Sequence, residues 1–288
     1  MDFIVTLVNG ISLGGIYAMI ALGYTMVYGI AKMLNFAHGD VIMVGGYTVL
    51  VFLAINPILA IALSIVFCVI LGVAVEKVAY KPLRTASPLA VLITAIGVSY
   101  LLQSLAQIIF GSASKYVIIA ELGNLTIGKL SISYATLITL AASVAIMILL
   151  TMFVKYTRTG RAMVAVSEDK NAASLMGINI NFIITVTFAI GSALAALAGV
   201  FSLLRVPSIT PTYGALPGIK AFTAAVIGGI GSIPGAMLGG ILLGVVECIC
   251  NSFPVIAPYT TAVEFSILIV ILLVKPTGIL GKKRREKV

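Results

Sequence analysis

Charged residues make up only 9% of this chain of 288 residues, which has no tryptophan and a single histidine, His38. A soluble domain carries roughly a quarter charged residues. With 61% of the residues hydrophobic, one globule cannot hide them all, and the bilayer has to be their solvent. The apolar runs are helix-length and lack the ~10-residue alternating character of barrel strands, which argues for a helical bundle. Cys68, Cys248 and Cys250 all lie in apolar runs. With one histidine in the chain they have no zinc-site spacing, so they read as small packing residues. No G-x-x-x-x-G-K-[ST], no dinucleotide fingerprint after a strand and no nucleophile–base constellation occurs. The nine acids are scattered among segments and supply no paired-carboxylate site. No catalytic, cofactor-binding or metal-ligating residue is therefore nominated, an enzyme is disfavoured, and any ATP used must be bound by another chain. The N-terminus lacks a basic n-region and a small-residue cleavage site, so no removable signal peptide is expected.

What charge there is has a pattern. The basic residues gather at Lys77, Lys81 and Arg84, between Lys155 and Lys170, and from Lys275 to Lys287. These positions are the ends of apolar runs, as expected of cytoplasmic loops. The net charge of +9 is thus read as topology and not as a nucleic-acid footprint. The longest polar interruption, residues 155–180, sits between two spans and is read as a cytoplasmic docking surface. Within it Ser167, Glu168 and Asp169 supply a cap and first-turn acids for a short helix. Ala172, Ala173 and Leu175 offer it a small apolar face, and Gly177 stops it.

Apolar runs fall at 3–31, 41–55, 58–75, 91–110, 135–154, 181–204 and 259–274, with a glycine-dense passage between 219 and the last of these. About eight apolar segments are expected in one transmembrane domain spanning 1–288. The run 111–134 reads as an outer loop with a small β-hairpin in its alternating stretch. Gly10 and Gly14 lie four apart, a spacing that lets helices approach closely.

Two places break the apolar pattern without becoming charged loops. Asn35, His38, Gly39 and Asp40 precede a run too short to cross comfortably. This is the pattern of a discontinuous helix whose backbone lines a cavity; a plain turn with solvated His and Asp is the alternative. The second break carries Gly228, Gly229, Gly231, Ser232, Pro234 and Gly235, and two full spans do not fit easily in the ~35 residues available. A re-entrant hairpin of two half-helices meeting near Ser232–Pro234 is expected there. Both groups are candidates for a translocation path. The side of the N-terminus depends on whether 41–55 crosses. Glu247 and Glu264 lie within about two turns of predicted helix ends and are read as interfacial, with a proton relay as the alternative.

These residues, taken in order, resemble one family. Ala21–Ile30, Asn35–Gly39, Val78–Arg84, Ala95–Gly97, Arg158–Ala162, Ala173–Asn179, Lys220–Val226, Gly228–Ala236 and Lys275–Gly281 are similar to the H-type permease of branched-chain amino-acid ABC importers, the Liv system, over essentially the whole chain. The resemblance implies an inner-membrane, multi-pass subunit whose partners are a second related permease chain, two cytoplasmic ATPase subunits, an extracytoplasmic solute-binding protein and membrane lipid, with a small amino-acid substrate. It implies that Asn171–Gly177 corresponds to an E-A-A-x-x-x-G coupling helix, with Asn171 in place of the acid and Glu168 or Asp169 supplying the charge. The I-x-L-P that follows in the family pattern is absent, since 187–190 reads Thr-Phe-Ala-Ile. Arg158, Gly160, Arg161, Glu168, Asp169, Ala172, Ala173, Leu175 and Gly177 are the expected ATPase-coupling residues. Alternative cargoes in the same machinery are urea or short amides. Alternatives of another class are an ion-gradient-driven secondary transporter and a membrane scaffold.

Overall fold

The computed structural model describes residues 3–127 and 130–281. Among them the chain is nearly all helix: α1 (Phe3–Ala31), α2 (His38–Phe52), α3 (Pro57–Val75), α4 (Pro88–Phe110), α5 (Tyr134–Tyr156), α6 (Arg158–Glu168), α7 (Lys170–Leu175), α8 (Ile180–Arg205), α9 (Ala215–Gly228), α10 (Ile233–Ser252) and α11 (Thr260–Val274). Seven helices are long and apolar enough to cross a membrane, and α2 and α9 are shorter apolar helices. The protein is a polytopic all-α membrane bundle. Strand is confined to β1 (Lys115–Tyr116) paired with β4 (Ser208–Ile209), and to the antiparallel hairpin of β2 (Asn124–Ile127) and β3 (Leu130–Ser133). The expected hairpin is present, in register Leu125 with Ile132.

Most helix starts are written in the local sequence. Asn56, Ser87, Ser133, Thr157, Asp169, Asn179 and Ser232 each accept a first-turn N–H on their side-chain oxygen, satisfying donors that no helical carbonyl can reach. The half-length helices differ: neither α2 nor α9 has a side-chain cap. At 15 and 14 residues they run ~21–22 Å, short of a ~30 Å hydrocarbon core.

α1 is the axis of the bundle, with every residue from Gly14 to Val27 buried. Its Gly10 and Gly14 meet Gly240 and Gly244 of α10. A Cβ on Gly14 would stand 2.6 Å from the Ile241 Cα, and one on Gly244 would stand 2.1 Å from the Gly14 nitrogen. Small residues four apart on both helices bring the backbones together, which is how helices associate where lipid removes the hydrophobic drive. α8 and α2 complete the buried centre, while α3, α4, α5 and α11 show apolar faces such as Ile70, Ile93, Leu149 and Val270 to the surroundings, as lipid-facing helices do.

The two ends of the bundle are distinct. One carries the strands, together with the start of α1, where Asn9 accepts from Thr136 and Arg205. The other carries α6, α7 and the segment after α11. α1 therefore begins at the opposite end from residues 277–281, and the chain returns to the strand end through α2, which starts within the bundle beside Gly23 and ends near Phe110 and Ile209.

The passage after 215 differs from the expected pair of half-helices. α9 is half-length, but α10 has 20 residues and is long enough to span. Sequence length failed as a guide because α9 starts at depth: Gly214 abuts Gly39. The seventh apolar stretch is thus two helices. The segment Lys275–Gly281 completes α9, since Ile279 N and Leu280 N donate to the carbonyls of Ile227 and Gly228 at 2.8 and 2.9 Å. The rest of the expected basic tail, 282–288, lies outside the described residues.

Candidate functional site

The two path-candidate groups occupy two levels of one seam along α9. At the deeper level the starts of α2 and α9 meet. A Cβ on Gly214 would lie 1.8 Å from the Gly39 carbonyl oxygen, and one on Gly218 would lie 2.9 Å from the Gly39 Cα. Only glycines allow this contact. Two uncapped N-termini converge here, bringing backbone N–H groups and partial positive charge together. In this conformation the junction is closed.

His38 and Asp40 flank the junction and are both buried, at 1% exposure. The solvated-turn alternative is therefore overturned. Burial fits their partners: His38 lies edge-on to Tyr24, with ring centroids 4.8 Å apart, and Gln103 Nε2 of α4 donates to Asp40 Oδ1 at 2.9 Å. Asp40 also sits in the first turn of α2, where the helix dipole favours an acid. The His38 Nε2 has no hydrogen-bond partner among the described residues.

At the shallower level the turn between α9 and α10 approaches Asn35. A narrow crevice is lined by Tyr24, Tyr28, Met33, Asn35, Phe222 and Ile230. Asn35 is pinned there by Tyr80, whose hydroxyl donates to its Oδ1 at 2.9 Å. Asn35 is the only one of the path candidates on this lining. Gly228 and Gly235 pack on each other, a Cβ on Gly228 falling 1.9 Å from the Gly235 oxygen, and Gly229 faces Gly281. Gly229 and Gly231 take φ of 107° and 94°, which favour glycine. Ser232 caps α10 through Gly235 N at 3.2 Å, with Pro234 in its first turn. These residues build the turn and the close packing around the crevice.

The coupling candidates lie on α6 and α7. Thr157 caps α6, and a Cβ on Gly160 would stand 2.3 Å from the Phe153 carbonyl, so a glycine is needed for α6 to fold tightly against the end of α5. Ser167 is not the cap of the following helix. It lies inside α6, where its hydroxyl donates to the Val164 carbonyl at 2.7 Å. Asp169 breaks the helix and caps α7, accepting from Asn171 N at 2.9 Å and Ala172 N at 3.0 Å. Asp169 takes the cap because it is the residue whose backbone is extended, at φ −151°, while Ser167 stays helical. Gly177 ends α7 as expected: at φ 81°, with Gly177 N on the Ser174 carbonyl and Ile178 N on that of Ala173, it forms a Schellman motif.

Ala173 is buried, whereas Leu175 and Met176 are 90% and 83% exposed. Arg158, Arg161, Glu168 and Ala172 are exposed as well. Lys170 anchors the segment, donating to the last carbonyl of α1, that of Ala31, at 3.0 Å; burial, with Arg84 nearby, lowers its ammonium pKa from the usual lysine value. Beside it Arg84 pairs with Glu76 and bonds Asn181, and Thr185 donates to Glu76 at 2.9 Å, tying α3 to α8. The segment therefore bears on the ends of three spans.

A family model described as branched-chain amino acid transport system / permease component matches residues 6–272. The chain belongs to this permease family. It is 45% identical over 98% of its length to the high-affinity branched-chain amino acid transport system permease protein BraD of Pseudomonas aeruginosa, of which 97% is covered. It is 42% identical over 99% of its length to LivH of Escherichia coli K12, of which 98% is covered. Over only 35% of its length it is 36% identical to the fructose import permease protein FrcC of Rhizobium meliloti, 31% of which is covered. The chain is thus a multi-pass membrane permease.

Sequence reasoning missed one constellation. Glu247 and Glu264 do not reach outward to solvent but converge on one lysine. Lys220 of α9 stands 2.9 Å from Glu247 and 3.2 Å from Glu264, and Glu264 is fully buried. Their distance from the helix ends was read correctly, but the helices turn both acids inward. The available signal was Lys220 itself, a lone cation inside an apolar run, where charge is costly without a partner.

Proposed function

We propose that this permease is the membrane-spanning subunit of an ATP-driven importer of branched-chain amino acids, working beside a second related permease chain, two ATPase subunits and an external solute-binding protein. The observation that carries the reading is near-full-length identity of 42–45% to permeases named for that transport. The chain carries no ATP-binding motif of its own, so energy enters through the ATPases. The charge distribution supports an orientation: nine described Lys and Arg lie at the α6–α7 end (Lys32, Lys77, Lys81, Arg84, Lys155, Arg158, Arg161, Lys170, Lys275) and two at the strand end (Lys115, Arg205). By the positive-inside rule the α6–α7 end is cytoplasmic and the N-terminus is outside.

In the mechanism we infer, each ATPase receives α7 through Leu175 and Met176, with Arg158, Arg161 and Glu168 at the rim. Closure of the ATPases moves α6 and α7, and Lys170 and the Gly160 contact pass the displacement to α1 and α5. The α2–α9 junction then opens and closes on opposite sides in turn. The helix N-termini at Gly39 and Gly214 suit a substrate carboxylate, and the aromatic crevice beside Phe222 suits an aliphatic side chain. Purification from native membranes, followed by mass spectrometry, tests the assembly: two ATPases and a second permease are expected, and a chain that emerges alone beside an intact control complex sinks the reading. Competition between labelled leucine and urea for uptake tests the cargo.

A further inference from the structure

The Lys220 cluster contains one cation and two acids. Lys220 lies in the second turn of α9, Glu247 on α10 and Glu264 on α11. Glu264 lies four residues past the first residue of α11, inside the apolar span that runs to Val274. Glu247 is well served: Tyr17 of α1 donates to its Oε2 at 2.7 Å, and Lys220 reaches its Oε1 at 2.9 Å. Glu264 is not. Lys220 is 3.2 Å from its Oε2, the longer of the two ion pairs, and neither carboxyl oxygen has a hydrogen-bond partner among the described residues. Its carboxyl also faces that of Glu247.

The other ionisable groups around it bring no second cation. Tyr17 on α1 and Cys248 and Cys250 on α10 are neutral in their ordinary forms. Arg205 of α8 faces Cys248 and donates to the Asn9 carbonyl, and it forms no ion pair with either acid. With both acids ionised the cluster would hold one uncompensated negative charge against the fully buried Glu264, a cost that a buried carboxyl avoids by taking up a proton.

We propose that Glu264 is a proton-binding site inside the membrane: the cluster rests as Lys220 ammonium, Glu247 carboxylate and Glu264 carboxylic acid. The acid proton is directed at the Glu247 carboxylate. Any step that wets this seam, such as α11 moving off α9, releases the proton. The assignment holds whatever the cargo is.

The test is difference infrared spectroscopy of the permease purified from native membranes with its associated subunits and reconstituted in liposomes. The wild type should show a protonated-carboxyl carbonyl band at neutral pH that fades as pH rises. Glu264→Gln should lose it. Glu247→Gln should lose it as well, although Glu264 is still present, because Glu264 then faces Lys220 alone and ionises. Lys220→Met should gain about twofold, since both acids then take protons. A band that survives in Glu264→Gln, or its absence from the wild type, overturns the assignment. Labelling of unmutated protein with a hydrophobic carbodiimide, which attacks protonated acids, needs no variant to fold: an adduct on Glu264 that declines with rising pH is expected, and an adduct on Glu247 or on neither acid overturns it.

Discussion

Lys170 and Lys220 face opposite situations. Lys170, at the start of α7, meets a backbone carbonyl at the end of α1, and the charged residues around it, Arg158, Arg161 and Glu168, lie exposed. Lys220, within α9, meets two carboxyl groups in a seam where it and Glu264 are buried. Charge in the first region is displayed; charge in the second is cancelled. The difference follows from solvent. An exposed ion pair is worth about 0–1 kcal/mol, whereas removing one partner of a buried pair costs roughly 3–5 kcal/mol. Mutations in the Lys220 region should therefore act on folding, and mutations near Lys170 on coupling.

The largest effect is expected from Lys220→Met, which strands two acids. Thermal unfolding in mild detergent should show a loss of roughly 3–5 kcal/mol, and the triple variant Lys220→Met/Glu247→Gln/Glu264→Gln should recover most of it. A triple variant no better than the single one would mean that Lys220 matters for its packing and not its charge. Next comes Gly228→Val, whose side chain would drive into the Gly235 backbone and cost at least 1–3 kcal/mol. Gly97→Val, where nothing lies within 4 Å, should leave the folded fraction unchanged, so equal damage from both would discredit the close-packing account. Asp169→Ala removes the α7 cap, worth ~1 kcal/mol locally. Hydrogen exchange at 171–175 should accelerate while the spans stay protected. The smallest effect on stability belongs to Leu175→Asp, within ±0.5 kcal/mol of wild type, yet leucine uptake and ATPase co-purification should both collapse. Normal uptake in that variant would remove α7 from the proposed mechanism.

How much of this was legible beforehand depends on the kind of signal. Hydropathy and run length identified a helical membrane bundle and the positions of its spans, because a bilayer leaves the chain few other structures. Local chemistry marked the ends: Asn56 and Ser87 start helices, and Gly177 stops one, through contacts within a few residues. The breaks at Asn35–Asp40 and Gly228–Gly235 were visible because glycine and polar residues interrupt apolar runs for few other reasons.

Tertiary structure decided the rest. Whether Ser167 or Asp169 caps α7 turned on which residue leaves the helix. The depth at which α9 begins, and hence the full length of α10, was set by Gly214 meeting Gly39 from a distant part of the chain. Above all, which way Glu247 and Glu264 point was not written in their own helices. Where lipid and protein interior are both apolar, hydrophobic periodicity carries little information about which face is buried. Only the packing of α9, α10 and α11 brings one lysine to two acids.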